Sequence, residues 1–328
     1  MKEQILALLT EKQGAYLSGA ELSRRLNISR TAVWKHIKSL KDDGYSIAAS
    51  PRRGYCLLAK PDILAVPEIK SGLTTRVFGQ KVSFFPQLDS TNEEAKRLAA
   101  AGAPEGTVVV AEQQLQGKGR LGRSWISPPG LGLWFSLILR PPLLPARAAQ
   151  LTLVSAVAVG RALRVATGLP FALKWPNDVL LDGKKVCGIL TELSAEIEKI
   201  NYVIVGIGLN VHQKPGDFPP ELRERALSLK MATGRFFRRA ELLRKILAHY
   251  EELYFAYLEQ GFPMVLQVWR ELNCTLGKEV SVTTTEGSFR GTALELSEGG
   301  CLLVRKASGE IVKIMAGDVT LCCDYFDN

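Results

Sequence analysis

Apolar residues recur at helical spacing in three short stretches near the start of the chain: Ile5, Leu8 and Leu9, then Leu22 and Leu26, then Val33, Ile37 and Leu40. That periodicity predicts three amphipathic helices. Ser18-Gly-Ala-Glu21 reads as a capping box for the second, and Ser29 can cap the third. Two short helices parted only by Asn27-Ile28 make a helix-turn-helix pattern. GYSIAASPRRGYCLL then alternates apolar residues on both sides of Ser50-Pro51-Arg52-Arg53-Gly54, which predicts a hairpin, placed as a wing with two arginines at its tip.

Between residues 80 and 270, strand-like runs (KVSFF, TVVVAEQ, LWFSLIL, FALKW, NYVIVGIGL) alternate with helical ones (NEEAKRLAAAG, RAAQLTLVSAVAVGRALRVATG, AELLRKILAHYEELYFAYLEQG), the pattern of a mixed α/β domain. DVLLDGKKVCGIL turns at Asp182-Gly183 and predicts a hairpin, so part of the sheet is antiparallel. From Gly277 onward short alternating strands are punctuated by TEGS, SEGG and ASGE, as in a small β-barrel. The expected organisation is multidomain α+β: a winged helix-turn-helix over 1–60, a connector over 61–70 broken by Pro and charge, a mixed α/β domain over 71–270 and a β-domain over 271–328.

Charge sharpens the first assignment. The chain carries +9 at neutral pH, and residues 1–60 hold eleven Lys and Arg against five Asp and Glu. Such asymmetry suggests a separate basic module for nucleic acid. On the third helix Arg30, Thr31, Lys35 and Lys38 point away from the apolar face, free to reach phosphates and base edges, while Arg52 and Arg53 would touch the backbone from the wing. The competing reading is a helical interaction domain with a solvated basic face.

Other classes fall away. The six cysteines, at 56, 187, 274, 301, 322 and 323, contain no CxxC pair, and His36, His212 and His249 are scattered, so no zinc site, disulfide framework or catalytic histidine set is expected. Nothing suggests haem or flavin. GxxxxGK[ST] is absent, and Gly206-x-Gly208 is followed by QKPGDFPPE where a dinucleotide site needs a helix N-terminus. No run of about 18 apolar residues is seen, and the N-terminus meets charge too soon for a signal peptide. The expectation is a cytoplasmic protein without a membrane partner, in which any metal is a hard cation held by carboxylate and phosphate oxygens.

Three stretches remain. DSTNEEA at 89–95 is a good helix start, KWPNDV at 174–179 a good turn, and AEQQLQGKGRLGRSW at 111–125 a cationic glycine loop ending in a tryptophan that could be core. In this order, with KVCGIL and GIGLN, they resemble the biotin protein ligases. The N-terminal helix-turn-helix is similar to that of the bifunctional members, which also repress biotin-synthesis genes.

The resemblance implies a central domain of the biotin/lipoate ligase type, an SH3-like C-terminal barrel and a two-step reaction. Biotin and ATP give biotinyl-5'-AMP and pyrophosphate; a lysine of a biotin carboxyl carrier protein, from acetyl-CoA carboxylase or a related carboxylase, then takes the biotinyl group. It further implies a biotin end made by Ser90, Thr91, Asn92 and Gln114, with Lys118, Gly119 and Arg120 of the loop closing over the ligand. The usual residue at the first basic position of that loop is Arg, and Lys118 keeps the charge without the planar fork. Lys174 would stand between the biotin carboxylate and the α-phosphate, so that Lys174, Arg120 and Lys118 carry the catalysis. Trp125 would stack on adenine, with Arg123, Asn177, Asp178 and Asn210 at the nucleotide and Asp178 near Mg²⁺. The partners implied are the carrier, biotin operator DNA and, once ligand is bound, a second copy of the chain. A sensor-repressor without catalysis and a lipoate-type ligase are the alternatives.

Overall fold

Ser18 and Ser29 start their helices as the sequence requires: each hydroxyl accepts from the N–H three residues on, at 3.0 Å from Glu21 and 3.1 Å from Ala32. The structure, a computed structural model, describes residues 1–12, 14–59, 61–284 and 287–322. Of the segment expected as the C-terminal domain, 285–286 and 323–328 lie outside the described residues, as does Cys323.

The chain divides into two units, residues 1–71 and 72–328. In the first, α1 (Lys2–Glu11), α2 (Gly19–Leu26) and α3 (Arg30–Asp42) precede β1 (Ser46–Ser50), β2 (Gly54–Ala59) and α4 (Val66–Lys70). Asn27, with φ of 53°, makes the left-handed break between α2 and α3. Ile5, Leu9, Leu22, Val33, Ile37 and Leu40 form the core; Leu6 is fully inside where Leu8 was expected, and Leu8 packs at its margin. Each such side chain contributes roughly 1.5–3 kcal/mol on burial. β1 and β2 pair antiparallel, and Leu17 bridges Tyr55 to add a third short arm. Gly54 sits where it must: at φ +99°, a Cβ there would lie 2.1 Å from the Leu17 carbonyl. Half of the expected connector is helical, since α4 occupies it and Glu68 accepts from the Tyr45 hydroxyl.

The second unit runs β3 (Val82–Phe85), α5 (Thr91–Ala100), β4 (Val108–Ala111), β5 (Gly132–Leu139), α6 (Ala148–Thr167), β6 (Ala172–Lys174), β7 (Asp178–Leu181), β8 (Lys184–Ala195), β9 (Ile200–Asn210), α7 (Leu229–Thr233), α8 (Arg239–Gln260) and α9 (Phe262–Leu272). Its seven-stranded sheet has the order β3-β4-β5-β9-β8-β7-β6. Only β3 and β4 are parallel, and α5 is the crossover that such a pair needs. The Asp182-Gly183 hairpin is present, with both residues left-handed as a type I′ turn demands.

Neighbouring residues of a strand face opposite ways, and β8 shows how the layers are arranged. Glu192 receives Asn92 of α5, whereas Thr191 receives the Thr152 hydroxyl of α6. Thus α5 covers one face, with Ala95 and Ala99 on Val109, Ile138 and Ile204, and α6 lies on the other, packed against α8. By length and apolar content the stretch Pro145–Thr167, which contains α6, could cross a membrane, but 72% of it is buried inside the protein, as in a core helix.

α9 runs through the expected 270/271 boundary, and the β-rich part begins at β10 (Glu279–Thr284), followed by β11 (Gly287–Leu296), β12 (Leu302–Lys306), β13 (Ile311–Ile314) and β14 (Asp318–Leu321). These form an antiparallel sheet in the order β13-β12-β11-β10-β14, the strands of the expected barrel with β13 and β14 left as edges.

Candidate active site

The glycine loop folds back on itself. Gly119 N–H donates to the Arg123 carbonyl at 2.7 Å and Trp125 N–H to the Gly117 carbonyl at 2.8 Å, so the chain between them is a small hairpin with Arg120–Gly122 at its tip. Gly117 permits this closure, because a Cβ there would lie 2.2 Å from the Trp125 carbonyl. Residues 121–124 are exposed, so polar ties rather than burial set the loop's position.

The positions expected at the biotin end come together at the start of α5. Gln114 Oε1 accepts from Thr91 N at 2.8 Å and from Thr91 Oγ1 at 3.0 Å, while its Nε2 donates to Ser127. Asn92 donates to Glu192 at 2.7 Å, and its Oδ1 accepts from Ser136 at 2.6 Å. Ser90, Thr91 and Asn92 are all buried; Ser90 is the N-cap by backbone only, with no side-chain cap bond. Ser136 and Glu192 were missed from the sequence because they lie on β5 and β8, far from the STN motif.

The sheet supplies a floor. Lys174 pairs with Asp178, Asp178 with Gly188, Gly188 with Gly208 and Gly208 with Trp134, a row across five strands; one step along, Leu190, Gly206 and Ser136 are paired. The glycines give KVCGIL and GIGLN their purpose. A Cβ on Gly206 would stand 2.1 Å from Asn92 Oδ1, and one on Gly208 2.4 Å from the Trp125 indole nitrogen. Trp125 lies on this floor against Trp134 at 6.4 Å, and its buried indole N–H has no acceptor.

At the far end of the row the charges gather. Asp178 pairs with Lys185 at 2.6 Å and, more distantly, with Lys174 at 4.0 Å. Lys185, which stands 5.2 Å from the Trp125 ring, is a third residue missed from the sequence; its signal is a lysine just past the Asp-Gly turn. Asn177 donates to the Ile189 carbonyl at 2.7 Å and receives Arg120 at 3.4 Å. Burial pulls the Arg120 guanidinium below its usual range, against the pull of Asp318 and Asp178. Arg120, Leu121, Thr152, Trp175, Asn177 and Met315 are among the residues lining a cavity of about 240 Å³.

Other expected residues point elsewhere. Lys118 pairs with Glu93 of α5 at 2.6 Å, and Arg123 with Asp318 of the C-terminal sheet. Asn210 is buried, its amide aimed at the Lys185 and Leu227 carbonyls while Gln213 donates to its oxygen at 3.0 Å. In the first unit, Arg30, Thr31, Lys35 and Lys38 are exposed along α3, and Arg52 and Arg53 are exposed at the wing tip. Trp34, missed from the sequence, stands 53% exposed in the middle of that face with Lys38 Nζ 5.7 Å from its ring.

Family models match the chain in the same order as its parts. Residues 2–56 match a helix-turn-helix domain, 84–210 the biotin/lipoate A/B protein ligase family and 275–321 the biotin protein ligase C-terminal domain. The bifunctional ligase/repressor BirA of Bacillus subtilis is 42% identical over 98% of both chains. The chain belongs to the bifunctional biotin protein ligases. The relative BirA of Escherichia coli is 29% identical over 97% of this chain and 96% of its own. Among solved ligases, that of Aquifex aeolicus in complex with biotin and ATP superposes with a TM-score of 0.63 at 37% identity, over 74% of this chain and 98% of that one. Placed within this family, the chain is a biotin ligase and a repressor, which accounts for both the central sheet and the winged helix-turn-helix.

Proposed function

We propose that biotin lies in the pocket at the start of α5 and ATP over Lys174 and Asp178, joined across the glycine floor beneath the loop. The observation that carries this reading is the paired row from Lys174 to Trp134, whose two glycines leave a floor without side chains of its own, covered by the Trp125 indole.

Thr91, Asn92 and Gln114 hold the ureido group; Ser136 and Glu192 hold the first two in turn, and Ser127 holds Gln114. In the first step a biotin carboxylate oxygen attacks the α-phosphorus and the bond to pyrophosphate breaks. Lys174 neutralises the two anions as they meet, with Arg120 beside it on Asn177. Trp125 turns from the floor to stack on the adenine. In the second step the carrier's lysine nitrogen attacks the biotinyl carbonyl carbon; an amide forms, AMP leaves with the electron pair of the broken C–O bond, and a proton is released. No enzyme nucleophile is needed, since positioning supplies the rate. Lys118 held by Glu93 closes the loop over the biotin end, excluding water.

Among the described residues no group of three His, Cys, Asp or Glu could hold a metal ion. One carboxylate, already paired with Lys185, fits only an ion that arrives on ATP phosphates, as Mg²⁺ does. Asp178 is the group that would meet it, and the ion would neutralise phosphate charge.

In the cytoplasm, with ATP and the chromosome at hand, the liganded chain forms a homodimer that sets two winged helix-turn-helix units on a two-fold operator. Arg30, Thr31, Trp34, Lys35 and Lys38 enter the groove, and Arg52 and Arg53 hold the backbone. The carrier belongs to acetyl-CoA carboxylase or a related carboxylase. Biotin with ATP should tighten operator binding by linkage, and equal affinity with and without both ligands would refute the coupling. Competition between biotin and lipoate for labelling tests the choice of acid.

A further inference from the structure

The glycine loop is tied at both flanks. Toward the biotin pocket the tie is Lys118 to Glu93. On the other side Arg123 pairs with Asp318, and Arg120 donates to the Gly317 carbonyl at 3.0 Å. Both acceptors belong to one short segment leading into β14, an edge strand held through β10. That segment has little room to move, for a Cβ on Gly317 would come within 2.9 Å of the Thr283 carbonyl. The rest of the C-terminal sheet is anchored on the catalytic side as well: Trp175 Nε1 donates to the Gly300 carbonyl at 3.0 Å and Gln150 to the Glu298 carbonyl at 2.9 Å. An exposed, glycine-rich loop is thereby fixed to a braced support.

We infer that Asp318 is a positioning residue for the ligase reaction: by holding Arg123 it keeps the loop shut over biotinyl-5'-AMP and sets how long that intermediate is kept from water. The inference rests on the reading of the loop as the cover of the adenylate. When the loop opens, a water oxygen attacks the biotinyl carbonyl carbon, the C–O bond to phosphate breaks, and biotin, AMP and a proton are lost to the cycle. The loss rate follows the open fraction, and the Arg123–Asp318 pair lowers that fraction. Arg123 is 66% exposed and Asp318 30%, so the pair is worth a factor of about two to five and is weakened by salt.

The test uses the full chain loaded with biotin and radiolabelled ATP, with decay of the bound adenylate followed in the absence of carrier. Asp318→Asn should speed decay about two- to fivefold at low salt, whereas Asp318→Glu stays close to wild type. Glu295→Gln, which breaks another exposed pair made by the C-terminal sheet, Arg270–Glu295, should leave decay unchanged. Rising salt should bring the wild type toward Asp318→Asn, an effect that general destabilisation would not produce. Wild-type decay in Asp318→Asn overturns the inference. Should that variant not fold, salt-independent decay of the wild type overturns it instead. Arg120→Ala separates the two levels: unchanged decay there would mean that the loop does not cover the adenylate at all.

Discussion

Gly206 on β9 lies so near Asn92 of α5 that a methyl group in place of its hydrogen would stand 2.1 Å from Asn92 Oδ1. The contact joins a glycine of the sheet to the amide proposed to hold biotin. Gly206→Ala should therefore displace Asn92 from Ser136 and Glu192 and weaken biotin binding. Overpacking of this sort costs about 1–3 kcal/mol, a loss of roughly five- to 150-fold in affinity. Calorimetry with biotin alone measures it, and an unchanged Kd would remove Asn92 from the biotin site.

Among the described residues Lys174 has one anionic partner, Asp178 at 4.0 Å, and Lys185 holds that same carboxylate more closely, at 2.6 Å. An ammonium so placed is available to a ligand's charge. Lys174→Ala should slow adenylate synthesis by about 10²–10³-fold, the size of losing one preorganised charge partner of the transition state. Pyrophosphate release reports the rate; near-normal synthesis would show the lysine to be misassigned.

Glu93 carries the loop's other tie, and the hydrogen bonds from Lys118 and Lys96 hold its carboxyl below the ordinary value of 4.5. A depressed carboxylate stabilises the fold above its unfolded pKa and loses that contribution as pH falls through the folded one. The Lys118 tie should thus persist at neutral pH and be lost only below the ordinary glutamate range. Carboxyl NMR should show a Glu93 midpoint under 4.5 that rises toward it in Lys118→Ala. Equal midpoints in the two proteins would contradict the tie.

On the DNA face the exposed lysines and Trp34 should behave differently. Lys35→Ala or Lys38→Ala should each lower the salt slope of operator binding by about one unit if the contact is to phosphate. Trp34→Ala should weaken operator binding and leave that slope unchanged, because an apolar contact releases no counterion. A Trp34 variant that binds the operator as wild type does would exclude the indole from the interface.

What was legible in the sequence was local. Ser18, Ser29 and the Asp182-Gly183 turn act on backbone within three residues, so their chemistry and their spacing are the same fact. Gln114 and the STN motif were legible as a site only through their order with the glycine loop and KWPNDV. The reason for Gly188, Gly206 and Gly208 was not, because it resides in side chains that reach them from α5 and the loop. The Arg123–Asp318 pair spans almost two hundred positions, and no pattern along the chain marks it. α9 was passed over although Val265, Leu266, Trp269 and Leu272 have helical spacing, since its end coincides with the change to β-patterning.

The most direct test of the account is mass spectrometry of a biotin carboxyl carrier domain after incubation with this protein, biotin, ATP and Mg²⁺, with each component omitted in turn. The account predicts a gain of one biotinyl group that requires every component. An unmodified carrier, with biotin still bound by the protein in calorimetry, would contradict it and leave a repressor that senses biotin without activating it.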